Sequence, residues 1–428
     1  MSGVPFSPTV SARRGILRRR EMHLEDPNVR TNFAGDSSAF GRSDSRVGGL
    51  LEDDGPIPQI ARVALFTDTF SEVNGAAHTL RKVAEMMERL GIPLDVYCYG
   101  PEEGVEVRGC VTIRRFNHRL AHNYYERMSI ELAPDFRIGK AWRDAMQSNP
   151  YTVVHLATPG SMGFTGRNLA ARFGVPVVGT YHTHFSDYTG LRSGPAVRKV
   201  ISDATRNFLR WFYAPCKWVL CPTEGCAQDL QRKGFRNRLG VFSRGIDTEL
   251  YSTSKRKRTD DRIVTAYVGR CAPEKNVQAL PEIVEGIESD LWVIGDGPER
   301  PILEQKLKHG RFTGYLYGEE LATAYADVEL LLFPSTTDTF GNVVLEAMAS
   351  GVVPIVARGP GPSDFVTDGL NAMVCDGPQG MRAALRKLVA DGEMRTSMRK
   401  QAVDYARQRD WQRAVKGLVR YYGLAANP

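Results

Sequence analysis

Apolar residues are sparse and aperiodic over roughly the first 60 positions, then turn abruptly into short, dense runs at regular intervals. RVALFT (62–67) reads as a buried strand. A polar loop, DTFSEVN, follows it. Gly75 then opens a helix whose apolar residues Leu80, Val83, Ala84, Met87 and Leu90 keep helical spacing until Gly91 stops it. PLDVYCY (93–99), TVVHLA (152–157), PVVGTYH (176–182) and WVLCPT (218–223) are further strand-like runs, with helical stretches between them. Such alternation predicts a parallel sheet wrapped by helices on both faces. The basic segment STSKRKRTDD (252–261) interrupts the pattern and reads as a linker. The alternation restarts with IVTAYVGR (263–270), DLWVIGDG (290–297), FTGYL (312–316), ELLLFPS (329–335) and VPIVAR (353–358). Near the end, DWQRAVKGLVRYY reads as an amphipathic helix with no strand after it.

This pattern divides the chain into a disordered extension (1–60), two α/β units (61–250 and 251–404) and a terminal helix (405–428). Two facing units of this kind form a crevice where the carboxyl ends of their strands meet. With 428 residues, 42% of them hydrophobic and 25% charged, the composition is that of an ordinary globular protein able to build its own cores. No apolar run reaches the length of a membrane-spanning helix, and the Arg-rich start has no apolar core of a secretory signal. The seven cysteines are scattered, odd in number and without a CxxC pair, which argues for reduced thiols in a cytoplasmic protein and against structural zinc. The net charge of +7 suits an anionic partner: nucleotide phosphates, a membrane surface or nucleic acid.

Four segments carry candidate chemistry. After the first strand there is no GxGxxG, but Gly75 at a helix start offers free amides and the positive end of a dipole to an anion; a plain helix cap is the competing reading. In VGRCAPEKN (268–276), Arg270 leaves a strand end and Lys275 follows, a pair able to neutralise a diphosphate or simply to face solvent. PSTTDTFGNVVLEAMASG (334–351) is the densest segment. Asp338 lies in a loop, Phe340, Gly341 and Asn342 begin a helix, and Glu346 follows within it. Two carboxylates thus bracket a helix N-terminus, which suits a sugar joined to a phosphate; a capping Asp and a solvated Glu is the alternative. In TYHTHFSDY (180–188), His182 at a strand end can meet a substrate hydroxyl or a developing cation. His182 and His184 are also spaced as a metal pair, but no third and fourth ligand stands out.

Taken in order, RVALFTDTF with the Gly75 loop, TYHTHFSDY, VFSRGIDTELY, YVGRCAPEKN, VIGDGP and TDTFGNVVLEAMASG resemble the family 4 glycosyltransferases, over about residues 61–428. The resemblance implies an α/β protein of the GT-B fold, with two Rossmann-like domains facing across a cleft. It implies a retaining transferase that takes a hexose from a nucleoside-diphosphate sugar and needs neither metal nor cofactor. The C-terminal domain would hold the donor, and the terminal helix would cross back to the N-terminal domain. Arg270 and Lys275 match the pair that grips the diphosphate, and Glu346 the carboxylate that holds the ribose. The segment Phe340, Gly341, Asn342 and Val343 matches the amides at the phosphate and sugar; Gly75 matches the glycine that reaches the diphosphate on closure, and His182 the active-site His. Asp338 departs from the family, which usually has Glu there, so the identity of the sugar is the property it touches. His184 makes the chain similar to members that glycosylate diacylglycerol or phosphoinositide lipids.

The expected partners are a nucleotide-sugar donor (GDP-mannose or a UDP-sugar) and a lipid or carbohydrate acceptor, with no nucleic acid. The basic, aromatic stretches RRFNHRLAHNYYERM (114–128) and TRNFLRWFYAPCKW (205–218) suit an anionic bilayer, which adds a peripheral seat at the inner face of the membrane to the cytoplasmic expectation. A soluble acceptor is the alternative, as is a non-catalytic nucleotide-sugar sensor of the same fold.

Overall fold

The computed structural model describes residues 47–50, 56–72, 74–117, 121–125, 128–131, 136–182 and 195–427. His184 and most of the expected N-terminal extension lie outside the described residues.

The first half builds β1 (Val47–Leu50), β2 (Val63–Thr67), β3 (Leu94–Gly100), β4 (Gly104–Arg108) and β5 (Val111–Asn117). A separate hairpin, β6 (Ala121–Tyr125) and β7 (Met128–Glu131), follows. Then come β8 (Val153–Leu156), β9 (Val177–Thr180), β10 (Trp218–Cys221) and β11 (Arg238–Val241). The sheet order is β1-β11-β10-β9-β8-β2-β3-β5-β4, parallel throughout except at the β4–β5 edge. The second half builds β12 (Val264–Val268), β13 (Asp290–Ile294), β14 (Arg311–Gly314), β15 (Leu330–Phe333), β16 (Val353–Ala357) and β17 (Met373–Cys375). They order as β14-β13-β12-β15-β16-β17, all parallel. Apart from the edge strand β1, the first sheet starts at β2 and the second at β12, each in the middle of its sheet and winding outward both ways, so each has a switch point, between β2 and β8 and between β12 and β15.

The apolar runs form strands because both faces are covered. β2, β12, β15 and β16 are buried at every position. The helix Gly75–Arg89 starts on Asn74, whose Oδ1 accepts from the Ala77 amide at 2.8 Å, and buries Leu80, Val83, Ala84 and Met87. The terminal helix Trp411–Ala426 is capped by Asp410 and buries Val415, Leu418, Val419 and Tyr422 in the core of the first half, beside Leu80 and Val83.

Two expectations need correction. Within the stretch read as a disordered extension, Val47–Leu50 pair in parallel with β11, and Ile57 and Ile60 pack on the core of the first sheet. A strand of four residues at a sheet edge has too few apolar positions to stand out by periodicity. The segment read as a linker is strapped down rather than solvated. Arg256 and Arg258 both pair with Glu329 at the start of β15, and the amides of Lys257 and Arg258 donate to Asp327.

Candidate active site

The cleft residues stand on loops at the carboxyl ends of the strands. In the first half, the loop after β2 leads through Asn74 to Gly75, the first residue of its helix. At the switch point beside it, Asp68 is half-buried and acts structurally. Its carboxylate accepts from Thr158 Oγ1 at 2.6 Å and from the Met162 amide at 2.9 Å, and so caps the helix Ser161–Phe173. In the second half, the loop after β12 carries Arg270 and Lys275, and the loop after β15 carries Asp338, Phe340 and Gly341. Those two loops flank the switch point, so the topology alone brings Lys275 to Asp338.

The two meet as an ion pair, Lys275 Nζ to Asp338 Oδ1, at 2.5 Å. Burial raises the Asp338 pKa, but the Lys275 charge and hydrogen bond outweigh it and the carboxyl stays below its usual value. Its second oxygen, Oδ2, is buried without a well-formed hydrogen bond among the described residues, although the Ser335 hydroxyl also helps hold the carboxyl low. Such an orphan acceptor is costly unless a donor reaches it, which fits a carboxylate built to take a ligand hydroxyl. Arg270 is part-exposed and paired with Glu274 in its own loop. Its charge also acts on Asp338 and helps hold that carboxyl low.

Gly341 holds φ +77°. A Cβ there would lie 2.7 Å from Pro362 Cγ and 3.0 Å from Phe333 Cζ, so only glycine fits. This turn starts the helix Asn342–Ala349, whose first amides have no partner within the helix. The side chains of Phe340 and Val343 pack in the core, which leaves their backbone amides, at the start of this helix, as the groups on the cleft side. The Phe340 ring stacks on Phe365 at 4.5 Å, and Val343 packs on the same cluster. Glu346 accepts from Tyr325 Oη at 2.9 Å, and burial pushes its carboxyl up to about 7. It lines a small pocket shared with His78, Lys82 and Asp247.

The two halves are in contact at this point. A Cβ on Gly75 would lie 3.6 Å from Asn342 Nδ2, Thr339 Oγ1 donates to the His182 carbonyl at 2.8 Å, and Thr223 Oγ1 donates to Asp364 at 2.6 Å. His182 thereby joins the Asp338 loop across the cleft. Burial first, then the neighbouring Arg244, hold its pKa well below the usual value, so the ring is neutral. Its ring nitrogens face Arg244 Nη2 and Thr180 Oγ1, both at 2.9 Å.

Arg244 was passed over in the sequence. It stands in VFSRGIDTELY, a motif that carries no charge pattern of its own, and only the fold brings it to His182. Thr180, His155 and Tyr325 were missed for the same reason. Among the described residues, no three His, Cys, Asp or Glu side chains gather into a group able to hold a metal ion.

Family models match both halves: glycosyltransferase family 4 over residues 73–250 and glycosyl transferases group 1 over residues 262–391. A GDP-mannose-dependent alpha-mannosyltransferase of Mycobacterium tuberculosis is 30% identical over 319 residues, covering 72% of this chain and 81% of the relative. The sulfoquinovosyl transferase SQD2 of Arabidopsis thaliana is 27% identical, covering 87% of this chain and 75% of that one. Among solved structures, a sucrose-phosphate synthase from Thermosynechococcus elongatus superposes with a TM-score of 0.71 at 16% identity, over 84% of this chain and 98% of that one. The Anabaena protein HepE, solved with UDP and glucose, superposes with a TM-score of 0.65 at 15% identity, over 84% and 99%. Both structural likenesses are to two-domain glycosyltransferases, and they establish the GT-B fold for this chain.

Proposed function

The chain belongs to glycosyltransferase family 4 and is a hexosyltransferase that uses a nucleotide-sugar donor, and we propose that it works with retention of configuration and without a metal ion. The proposed donor is GDP-mannose, the donor named for several of its relatives, with a UDP-sugar as the alternative. The observation that carries the reading is the Lys275–Asp338 pair, with one buried Asp338 oxygen left for a ligand hydroxyl, set beside a helix N-terminus and against Gly75.

Breaking the donor's glycosidic C–O bond puts negative charge on the leaving diphosphate. Lys275, Arg270 and the amides at Asn342 supply positive charge where that charge develops. Asp338 holds a sugar hydroxyl through Oδ2, while Glu346 takes the ribose hydroxyls. The bond to the phosphate breaks ahead of full attack, the acceptor oxygen adds from the same face, and its proton passes to the leaving phosphate. His182 lies beside the reacting sugar.

The proposed acceptor is a membrane glycerolipid or phosphoinositide. The helix Pro195–Tyr213 supports this with a stripe of exposed apolar residues: Val200 at 69%, Phe208 at 39% and Trp211 at 51% exposure. Arg210, Lys217, Arg236 and Arg238 line a groove beside Trp211. Basic and aromatic groups on one face suit an anionic bilayer. The earlier stretch suits it less, because Arg114 pairs with buried Asp95 and Arg115 with Glu106.

The test is release of free nucleoside diphosphate from a panel of GDP-, UDP- and ADP-sugars in EDTA, with and without diacylglycerol or phosphatidylinositol vesicles. Turnover of GDP-mannose that depends on one lipid and ignores EDTA is the expected result. Loss of turnover in EDTA, restored by a divalent ion, would overturn the metal-free reading. Lipid-independent turnover onto a soluble sugar would overturn the acceptor.

A further inference from the structure

Arg244 is a buried cation, 5% exposed, and among the described residues it pairs with no carboxylate. Its guanidinium lies over the rings of Phe242 and Phe340 and donates to the Phe242 carbonyl at 3.4 Å. Its other polar contact among the described residues is Nη2 to His182 Nδ1 at 2.9 Å.

That contact fixes a direction. A guanidinium has donors and no acceptor, so Nδ1 of His182 must accept, and the proton of the neutral ring sits on Nε2. Nε2–H is 2.9 Å from Thr180 Oγ1 and donates to it. Thr180 Oγ1 has one proton, and its other partner among the described residues is His155 Nε2 at 2.8 Å. That buried hydroxyl proton needs an acceptor, and among the described residues His155 Nε2 is the one within reach, so His155 accepts on Nε2 and carries its own proton on Nδ1. From Nδ1 it donates to Tyr422 Oη at 2.7 Å. His155, Thr180 and Tyr422 are all buried, so each bond in the series is shielded from water. The series links the loop after β11, strands β9 and β8, and the terminal helix.

We propose that Arg244, with Thr180, His155 and Tyr422 behind it, acts as a set of positioning residues that lock His182 as a neutral imidazole protonated on Nε2 during sugar transfer. The inference rests on the proposed place of His182 beside the reacting sugar. With both nitrogens engaged inside the protein, the ring cannot take the acceptor's proton, which goes to the leaving phosphate. The ring plane is also held still, so its edge meets the sugar in one orientation. Burial and the Arg244 charge hold the His182 pKa low, consistent with a neutral ring. Arg244 meanwhile adds a positive charge to the same side of the cleft.

Histidine ¹⁵N spectra of the full-length protein test the lock directly, with His182→Gln and His155→Gln used to assign signals. The expected pattern is His182 protonated on Nε2 and His155 protonated on Nδ1. A His182 protonated on Nδ1, or on both nitrogens near neutral pH, overturns the lock. Kinetics test its purpose. Thr180→Ser keeps the hydroxyl and should keep kcat within about threefold, while Thr180→Val should lower kcat by about tenfold or more with little change in donor KM. Equal kcat in the two overturns the positioning role. Should Thr180→Val not fold, Tyr422→Phe serves in its place, since it removes only the terminal acceptor; the His155 proton should then redistribute between its nitrogens and kcat should fall. His182→Ala at full turnover would remove the place of His182 in the transfer itself, whereas a strong loss there with the wrong tautomer overturns the lock alone.

Discussion

At the scale of single residues, the cleft concentrates groups whose environment departs from that of the surface. Lys275 is the clearest case, since it neutralises Asp338 now and would face a diphosphate in the donor complex. Lys275→Ala removes a charge aimed at the leaving group and should lower turnover by about a hundredfold or more. The fold should stay intact with a lowered thermal midpoint, because Asp338 loses the charge that offsets its burial while the strands around it stay fully packed. Near-normal turnover would sink the assignment. Glu346 gives a pH signature. Burial pushes its carboxyl up to about 7, and only the ionised form accepts two hydroxyls without offering a proton. Donor affinity measured by calorimetry should therefore weaken as pH falls below 7, by up to about tenfold per unit, and Glu346→Gln should weaken binding and flatten the dependence. A parent affinity constant from pH 5.5 to 8 would take Glu346 out of the donor site.

At the scale of elements, the terminal helix joins the core of the N-terminal half. It buries Leu418, Val419 and Tyr422 among the strands and first helix of the N-terminal half, and its Tyr421 hydroxyl accepts from the Val241 amide at 3.1 Å. An element so placed is part of a core rather than an appendage. Leu418→Ala should cost about 2–5 kcal/mol, read as a lower denaturation midpoint with an unchanged slope. A cost near zero would mean that the helix docks loosely. The turn at Gly341 has the opposite character, with little burial of its own but no room for a side chain. It sets the direction in which the helix Asn342–Ala349 presents its first amides.

At the scale of the whole molecule, three buried or half-buried imidazoles shape the response to acid. Burial lowers His78 to about 4 and His155 to about 3, and lowers His182 well below 6.5. A histidine with a depressed folded pKa takes up its proton on unfolding. Its contribution to stability is whole above the unfolded value near 6.5 and is lost as pH falls towards the folded value, by about 1.4 kcal/mol per pH unit for each ring. Glu346 runs the other way: its raised pKa favours the fold below 4.5, and that contribution fades as pH rises through 7. Asp68, also raised by burial, acts with Glu346, but three rings outweigh two carboxyls, so the thermal midpoint should fall from about pH 6.5 to pH 5. A flat midpoint over that range would show that the rings are not buried as neutral groups.

Much was determined by the order of residues alone. Strands such as RVALFT and ELLLFPS are continuous apolar runs because both faces of a parallel sheet are covered, and that burial leaves a plain mark on the chain. The GT-B fold and the family could be read from such runs together with the motifs between them. Strands with mixed faces could not. β5 carries Arg114 and Arg115, and its charges are tolerated only because Asp95 and Glu106 meet them from neighbouring strands. The linker looked solvated until Glu329 and Asp327 were seen beneath it. The site divides in the same way. Gly75, His182, Arg270, Lys275, Asp338 and Glu346 sit in local motifs, and spacing within a loop is enough to propose them. Which of them touch was decided by the tertiary structure. Lys275 meets Asp338 because two loops flank one switch point, and His182 meets Arg244 and, through Thr180 and His155, the distant Tyr422 because strands and a returning helix converge there. Local sequence sets the chemistry a residue can do, but contacts between residues far apart in the chain exist only once the sheets are wound and packed.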